Sequence, residues 1–376
     1  MNVSTKKEAF KLLDYPKWKR VGEIDFIEIE ALEKNGSTSI KGLKQWQNQG
    51  VKVYKITSED KDLDDVLYTP LKECLFEIDS VQFGSNDKLV LQSETEFNLG
   101  HVVIVPDHVQ ISEPLEIHYS IETKTIDQTV IHMGKGATAT LVVVYKGEKG
   151  NYHNGLIKIY ASEGSTLHLS EVQMLNNETI HIQNTVSYLE KEATVNLTTI
   201  DFGGSIVVTD YSSHLVGNQS ISLVNSAYIG DGDRKLDIGY NTYHKGMRSE
   251  SLVNCKGALL DSSRKTFRGN LRFLHGAKRS KGRESEYVLL LDEHVQSDAI
   301  PALLCDEDDV SGEHAASAGQ VNPQQLFYLM SRGFSVNEAK KLIIHGSFSQ
   351  VINYLPTKDL ILEVEEELER RLVHAK

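Results

Sequence analysis

The stretch PALLCDEDDVSGEHAASAGQVNPQQLFYLMSRG, Pro301 to Gly333, changes character along its length. Up to Cys305 it reads as a strand, Asp306 to Gly312 as an acidic turn, and beyond Ala318 two helix starts follow in quick succession. Asn322, Pro323 and Gln325 supply an N-cap, a proline at the first helical position and a capping-box partner. They predict a helix carrying Leu326, Phe327, Leu329 and Met330 that ends at Gly333. Ser335 and Glu338 form a second capping box, with Val336, Ala339, Leu342 and Ile343 on one face and Gly346 as the stop. Phe348, Val351, Ile352 and Leu355 make a third stripe ending at Pro356, and Leu360, Val364, Leu368 and Leu372 a fourth at i, i+4 spacing. At roughly 1.5 to 3 kcal/mol per fully buried large side chain, such stripes suffice to dock helices on one another or on a partner.

Upstream of this switch the chain is built from short β-branched runs broken by Gly, Asn, Asp and Ser. Gly136, Gly164, Glu192 and Asn218 act as turn anchors. Each is followed at +3 and +5 by a pair read as inward-facing: Ala139 and Leu141, Leu167 and Leu169, Val195 and Leu197, Ile221 and Leu223. Looser anchors at Asp107, Gly246, Gly276 and Asp306 continue the spacing. A period near 28 residues, with two short alternating strands per unit, fits the coil of a parallel β-helix. A helical solenoid needs 3.6-residue periodicity, and the hairpins of a sandwich recur every 8 to 12 residues. The fold class is therefore mainly β: a right-handed parallel β-helix core over 76–318, a small mixed α+β N-terminal cap over 1–75 and a C-terminal helical domain over 319–376. Within the cap, strands are expected near Ile24 to Ile29 and Val51 to Ile56, after a short amphipathic start at Ala9, Phe10, Leu12 and Leu13. A stack of coils has two ends whose unpaired backbone groups invite another chain. The strand edges from about Glu286 to Asp309 are expected to meet a second subunit.

With 376 residues, 40% of them hydrophobic, the chain is long enough to bury roughly 75% of its unfolded surface. The first twenty residues are rich in Lys and lack a long apolar run, so the expectation is a cytoplasmic chain without a signal peptide or membrane span. Cys74, Cys255 and Cys305 form no CxxC, so each is read as structural. A formal charge of −13 argues against general nucleic-acid affinity. The basic run Arg264, Lys265, Arg268, Arg272, Lys278, Arg279, Lys281 and Arg283 opposes that balance, as a solvated strand face or as a surface for an acidic partner.

No self-sufficient active site is legible: there is no GxxxxGK[ST], HExxH or GxSxG. The histidines are scattered at separations that form no ligand pair, and most are read as surface or strand residues. Asp306, Asp308 and Asp309 beside His314 loosely imitate the clustered carboxylates of β-helix glycosidases, so a glycan-active enzyme is one alternative reading. A homodimeric structural scaffold without a metal role is another.

The order of parts in the opening stretch resembles the signature of the SufB/SufD family of iron-sulfur cluster assembly scaffolds. The matching residues are Pro301, Leu303, Asp308, Asp309, Val310, His314, Ala316, Gly319, Gln325, Phe327, Tyr328, Leu329, Ser331, Arg332 and Gly333. The resemblance begins near Val102, and Trp18 and Trp46 do not reproduce the family's N-terminal aromatic pattern. It implies the same β-helix fold and a non-enzymatic scaffold subunit. SufB-type chains carry a cysteine about six residues before the proline matching Pro301; Val295 stands there, so the chain is SufD-like. By the resemblance, His314 is the cluster-assembly and metal-ligand candidate, facing a cysteine of a SufB-like paralogue. No cofactor is expected to be held stably by the chain alone, and a transient iron-sulfur cluster is expected in the complex. The helices after Asn322 would dock a SufC-like ABC ATPase, with Leu326, Phe327, Tyr328, Arg332, Leu342 and Phe348 as candidate contacts. Lacking a phosphate loop, the purified chain should hydrolyse no ATP; stoichiometric turnover that survives repeated purification would overturn this.

Overall fold

From Leu99 to Gln320 the chain winds so that successive strands fall alternately into two sheets, each strand pairing in parallel with its equivalents one coil before and one coil after. The computed structural model describes residues 37–56, 88–149 and 151–372. The expected amphipathic start, the strand near Ile24 to Ile29 and Cys74 lie outside them. One sheet runs from Leu115–Ser120 through Thr138–Gly147, Thr166–Leu175, Thr194–Asp201, Ile221–Gly230, Glu250–Leu259 and Lys281–Leu290 to Ser311–Gln320. The other runs from Leu99–Val105 through Arg264–Phe273 and ends on two short strands, Gln296–Ala299 and Ala302–Cys305. Ser37–Lys41 and Lys52–Ile56 add an antiparallel strand to the first edge of each sheet, the second of them the strand expected at Val51 to Ile56. This is the parallel β-helix that the period requires.

A column of left-handed residues holds the coils in register. His108, Gly136, Gly164, Glu192, Gln219, Arg248 and Arg279 all have φ between 56° and 69°. In each turn the amide of this residue donates to a carbonyl of the next coil, as from Gly136 to Glu163 (2.9 Å), Gly164 to Lys191 (2.9 Å) and Gln219 to Met247 (2.8 Å). Three anchors read from sequence are members of this column; the fourth is Gln219, not Asn218. The one-residue difference flips the pleat, so Ser222 and Val224 face the lumen while Ile221 and Leu223 face outward. Ala139, Leu141, Leu167, Leu169, Val195 and Leu197 are fully buried inside, as expected.

The C-terminal helices do not stand apart. Pro323–Ser331, Val336–Ile352 and Lys358–Leu372 form a layer whose apolar side, Ile344, Phe348, Val351, Leu360, Val364, Leu368 and Leu372, packs on the outer face of the first sheet. That face supplies Val142, Val144, Val172, Ile200, Phe202 and Ile229. Both predicted caps form: Asn322 accepts from the amides of Gln324 and Gln325, and Ser335 and Glu338 make a reciprocal box. Gly346 does not stop the second helix, which absorbs the third stripe. A glycine costs about 1 kcal/mol in a helix interior, less than the burial of Ile344 and Phe348 on either side of it returns. The last strand also runs to Gln320, beyond the Ala318 switch. At the far end, buried Arg371 donates to the Leu175 carbonyl (2.7 Å) and pairs with Glu367 (2.6 Å), tying the last helix to a β-helix turn.

A β-carbon added at Gly164 would meet nothing nearer than 3.9 Å, so Gly164→Ala tests the left-handed column alone. The expected loss is about 1–2 kcal/mol, seen as a lower urea midpoint at unchanged slope. An unchanged midpoint would show that the column carries no strain.

Candidate functional site

The last coil leaves one end of the β-helix open. Gln296–Ala299 and Ala302–Cys305 pair with Arg264–Phe273, and Ser311–Gln320 pairs with Lys281–Leu290; among the described residues nothing pairs with their outer edges. The open edges are therefore these three strands, not the span from Glu286, because Lys281–Leu290 is covered on both sides. Ile300 and Pro301 interrupt the second sheet here, since proline brings no amide to the ladder.

His314 is exposed on the terminal strand. It shares a face with Gly312, where a β-carbon would lie 2.8 Å from Leu303 and 3.0 Å from Phe273, so that face looks across the lumen. Val295 is partly buried against the core, and Cys305 is a free, exposed cysteine at the end of its short edge strand. Cys255 is fully buried, and burial pushes its thiol well up, which makes it unreactive.

The basic run and the acidic turn answer each other across the last two coils. Arg272 pairs with Asp306 (3.0 Å), Arg279 with Asp309 (3.7 Å) and Arg283 with Glu313 (3.8 Å), while Glu307 accepts from the Gly276 amide (3.0 Å). Arg268 pairs with Asp237 at 3.2 Å. Exposed pairs of this kind each contribute little. Their effect here is local: Arg272, Arg279 and Arg283 are each set against an acid of the final coil.

Just inside the mouth, Lys265 Nζ lies 2.8 Å from Glu286, which also accepts from the Tyr228 hydroxyl at 2.7 Å. Glu284, two residues earlier on the same face, is 5% exposed. Burial, and then the Glu286 charge, push its carboxyl up to about 7.

Deeper in the lumen is a second polar cluster. His153 Nε2 lies 2.8 Å from Asp127, and the Nδ1 atoms of His153 and His181 are 2.8 Å apart. Tyr145 stacks on Tyr119 and leans on both imidazoles. Glu171, Asp201, Gln183 and Thr209 line a small cavity beside them. Burial holds His153 down to about 3 and His181 well below its ordinary value, and pushes Glu171 up to about 8 and Asp201 to about 6. With Asp127 also pushed well up, a consistent arrangement has its carboxyl donating to His153, which in turn donates to His181. No three His, Cys, Asp or Glu side chains among the described residues converge as a ready metal site.

The residues expected to contact a partner divide by burial. Phe327 (73%) and Tyr328 (56%) are strongly exposed, and the Arg332 guanidinium lies 5.2 Å from the Tyr328 ring centre. Leu342 is exposed, and Leu326 packs partly on the helix seam. Phe348 is fully buried against Phe202 (5.7 Å between ring centres), so it holds the helices to the sheet. A groove of about 610 Å³ lined by Tyr287, Gln324, Gln325, Tyr328 and Ile343 lies beside the exposed group.

The family model described as "SUF system FeS cluster assembly, SufBD core domain" matches residues 118–347. The chain belongs to the SufBD core family. It is 26% identical over 312 residues to the iron-sulfur cluster assembly protein SufD of Bacillus subtilis, covering 81% of this chain and 71% of that one. It is 22% identical over 337 residues to SufB of the same organism, with 85% and 70% covered. A SufBD family protein of Staphylococcus saprophyticus is 26% identical over 304 residues, with 76% and 62% covered, so this chain spans less than two thirds of that relative.

Within this SufBD chain, sequence reasoning singled out His314 and missed the lumen cluster. The signal was present: His153 and His181 are 28 residues apart, one coil, and therefore stack. A carboxyl whose folded pKa is raised contributes stability that is present below its unfolded value and lost as pH rises through the folded one. For Glu171 that window runs from 4.5 to about 8. Glu171→Gln should therefore gain melting temperature over the wild type between about pH 5 and about pH 8, at about 2–4 °C per kcal/mol. A difference that stays constant with pH would mean that Glu171 is ionised inside the fold.

Proposed function

We propose that this SufBD chain is a SufD-like, non-enzymatic scaffold subunit acting in the cytoplasm, and that it pairs through its open β-helix end with a SufB-like paralogue. A transient iron-sulfur cluster forms at that junction, with His314 as the ligand this chain contributes. The observation that carries the reading is that His314 stands on the terminal, unpaired strand Ser311–Gln320, beside two further open edges. An edge of this kind is a template for pairing with another chain. Val295 sits where a SufB-type chain has its cysteine and packs into the core, so a homodimer offers imidazole and carboxylate at this place without a matched thiolate. A paralogue that brings the thiolate completes a donor set suited to iron and sulfide.

A SufC-like ATPase is placed by the same reading on the first two C-terminal helices. Phe327, Tyr328, Met330 and Leu342 are exposed there, as is Phe334 in the connection between them, whereas the last helix has its stripe buried on the first sheet. Large apolar side chains grouped on one exposed surface are characteristic of a protein-binding site. Glycan hydrolysis is the weaker reading, since Asp306 and Asp309 sit in ion pairs.

Two measurements test this. Anaerobic reconstitution should yield clusters on the mixed complex and not on the homodimer, and His314→Ala should reduce the yield with the folding midpoint little changed. Equal cluster content in the homodimer, or full content after the substitution, would refute the assignment. Phe327→Asp with Leu342→Asp should abolish co-purification of the ATPase while the β-rich circular dichroism is retained; undiminished co-purification would put the docking surface elsewhere.

A further inference from the structure

The coils divide the basic run between Arg264 and Arg283. Arg268, Arg272, Arg279 and Arg283 are paired with acids, and Lys265 is buried against Glu286. Lys278 is exposed on a turn and makes no ion pair among the described residues; Glu307, held down chiefly by the Gly276 amide, also feels its charge. One coil earlier the corresponding turn carries two further exposed cations, Lys245 and Arg248, which likewise make no ion pair among the described residues. The backbone brings the two turns together, the Arg248 amide donating to the Lys278 carbonyl (2.9 Å). Three cations without acids of their own thus gather on one corner of a chain whose formal charge is −13.

Arg248 holds its place at a cost. It has a φ of 56° in the left-handed column where Gly136 and Gly164 also stand, and a residue with a β-carbon is strained there. Three members of the column carry a full charge, and two of them, Glu192 and Arg279, are set against Lys191 (3.5 Å) and Asp309 (3.7 Å). Arg248 has no such partner among the described residues, so no ion pair there offsets its strain. Beside it stands Met247, 45% exposed, and Val216 in the turn before is 46% exposed. The Met247 backbone is fixed, its amide donating to Asn218 Oδ1 (2.9 Å) and its carbonyl accepting from the Gln219 amide (2.8 Å). Its flexible thioether remains able to adapt to another surface. Methionine and arginine exposed together on a rigid backbone are the composition of a protein-binding site.

We propose that the corner formed by Lys245, Met247, Arg248 and Lys278 docks an acidic segment of another protein, a loop or helix that presents carboxylates around an apolar side chain. Charge complementarity selects this occupant. At physiological salt the Debye length is about 8 Å, so a short acidic segment senses chiefly the cations it touches. A membrane or a nucleic acid is an extended anionic surface, and it would also meet the acidic remainder of the chain, beginning with Asp306, Asp308 and Asp309 in the next turn. The corner is built from turns and uses none of the open strand edges, so docking there does not depend on pairing at the end of the β-helix.

The test is a fluorescence-anisotropy titration of the full chain with a labelled synthetic peptide rich in Glu and carrying one Leu. A Lys-rich peptide of the same length, phosphatidylglycerol vesicles and duplex DNA are titrated alongside. The acidic peptide should bind, the basic one should not, and binding should weaken as salt is raised. Lys245→Gln with Arg248→Gly should weaken it by roughly tenfold, the loss expected for two exposed charge pairs. Arg264→Gln removes an exposed cation from the outer face of a strand and should leave it unchanged. Met247→Ser should weaken it too, which a purely ionic attraction would not show. Arg248→Gly alone should melt no lower than the wild type while binding less tightly, a split that a structural role for the arginine would reverse. Absence of acidic-peptide binding by the wild type, equal affinity in the double variant, or tighter binding to vesicles or DNA than to the peptide overturns the site. Should the double variant not fold, Lys278→Gln decides: unchanged affinity overturns the site, and reduced affinity supports it.

Discussion

Everything in this molecule follows from the in-register parallel ladder between successive coils. Each strand of a middle coil pairs with the equivalent strand one repeat earlier and one repeat later, and a left-handed residue fixes where each turn begins. Because the register is set by backbone hydrogen bonds, residues one repeat apart in sequence become neighbours in a row along the lumen. A row can be uniformly aliphatic, as at Leu141, Leu169 and Leu197, or it can gather ionisable groups that no local motif would associate.

The two polar clusters are consequences of this geometry. Asp127, His153 and His181 meet because their strands stack, and the enclosed setting keeps the imidazoles neutral and holds the acids toward their neutral forms. A low-dielectric interior makes such a network costly unless its hydrogen bonds are satisfied, which favours one definite proton arrangement. At the mouth the same stacking sets Glu284 beneath His314, with Gly269 opposite to admit the carboxyl.

The two remaining liabilities of a β-helix are its outer faces and its ends. The first sheet's outer face is covered by the C-terminal helices, which joins a region that would otherwise be a separate domain to the core through Phe202 and Phe348. The end at Ser311–Gln320 has no such cover among the described residues. Ion pairs from Arg272, Arg279 and Arg283 link the final coil to the one before it, each contributing little by itself.

From the amino-acid order alone came the β-helix, its period, both helix caps and the prominence of His314, because each is a local signal: turn residues at fixed intervals, a side chain that caps its own helix, a run of matched positions. Only the tertiary structure decided the rest. The turn at Gln219 begins one residue later than the spacing suggests, and a shift of one residue reverses the pleat. Gly346 lies inside a helix because packing on the sheet outweighs its intrinsic preference. Four arginines of the basic run, Arg268, Arg272, Arg279 and Arg283, pair with acids some thirty residues away, and Phe348 belongs to a seam whose other half is on distant strands. Glu284 is remarkable in no local window; its burial and its position under His314 arise because one coil lies on the next.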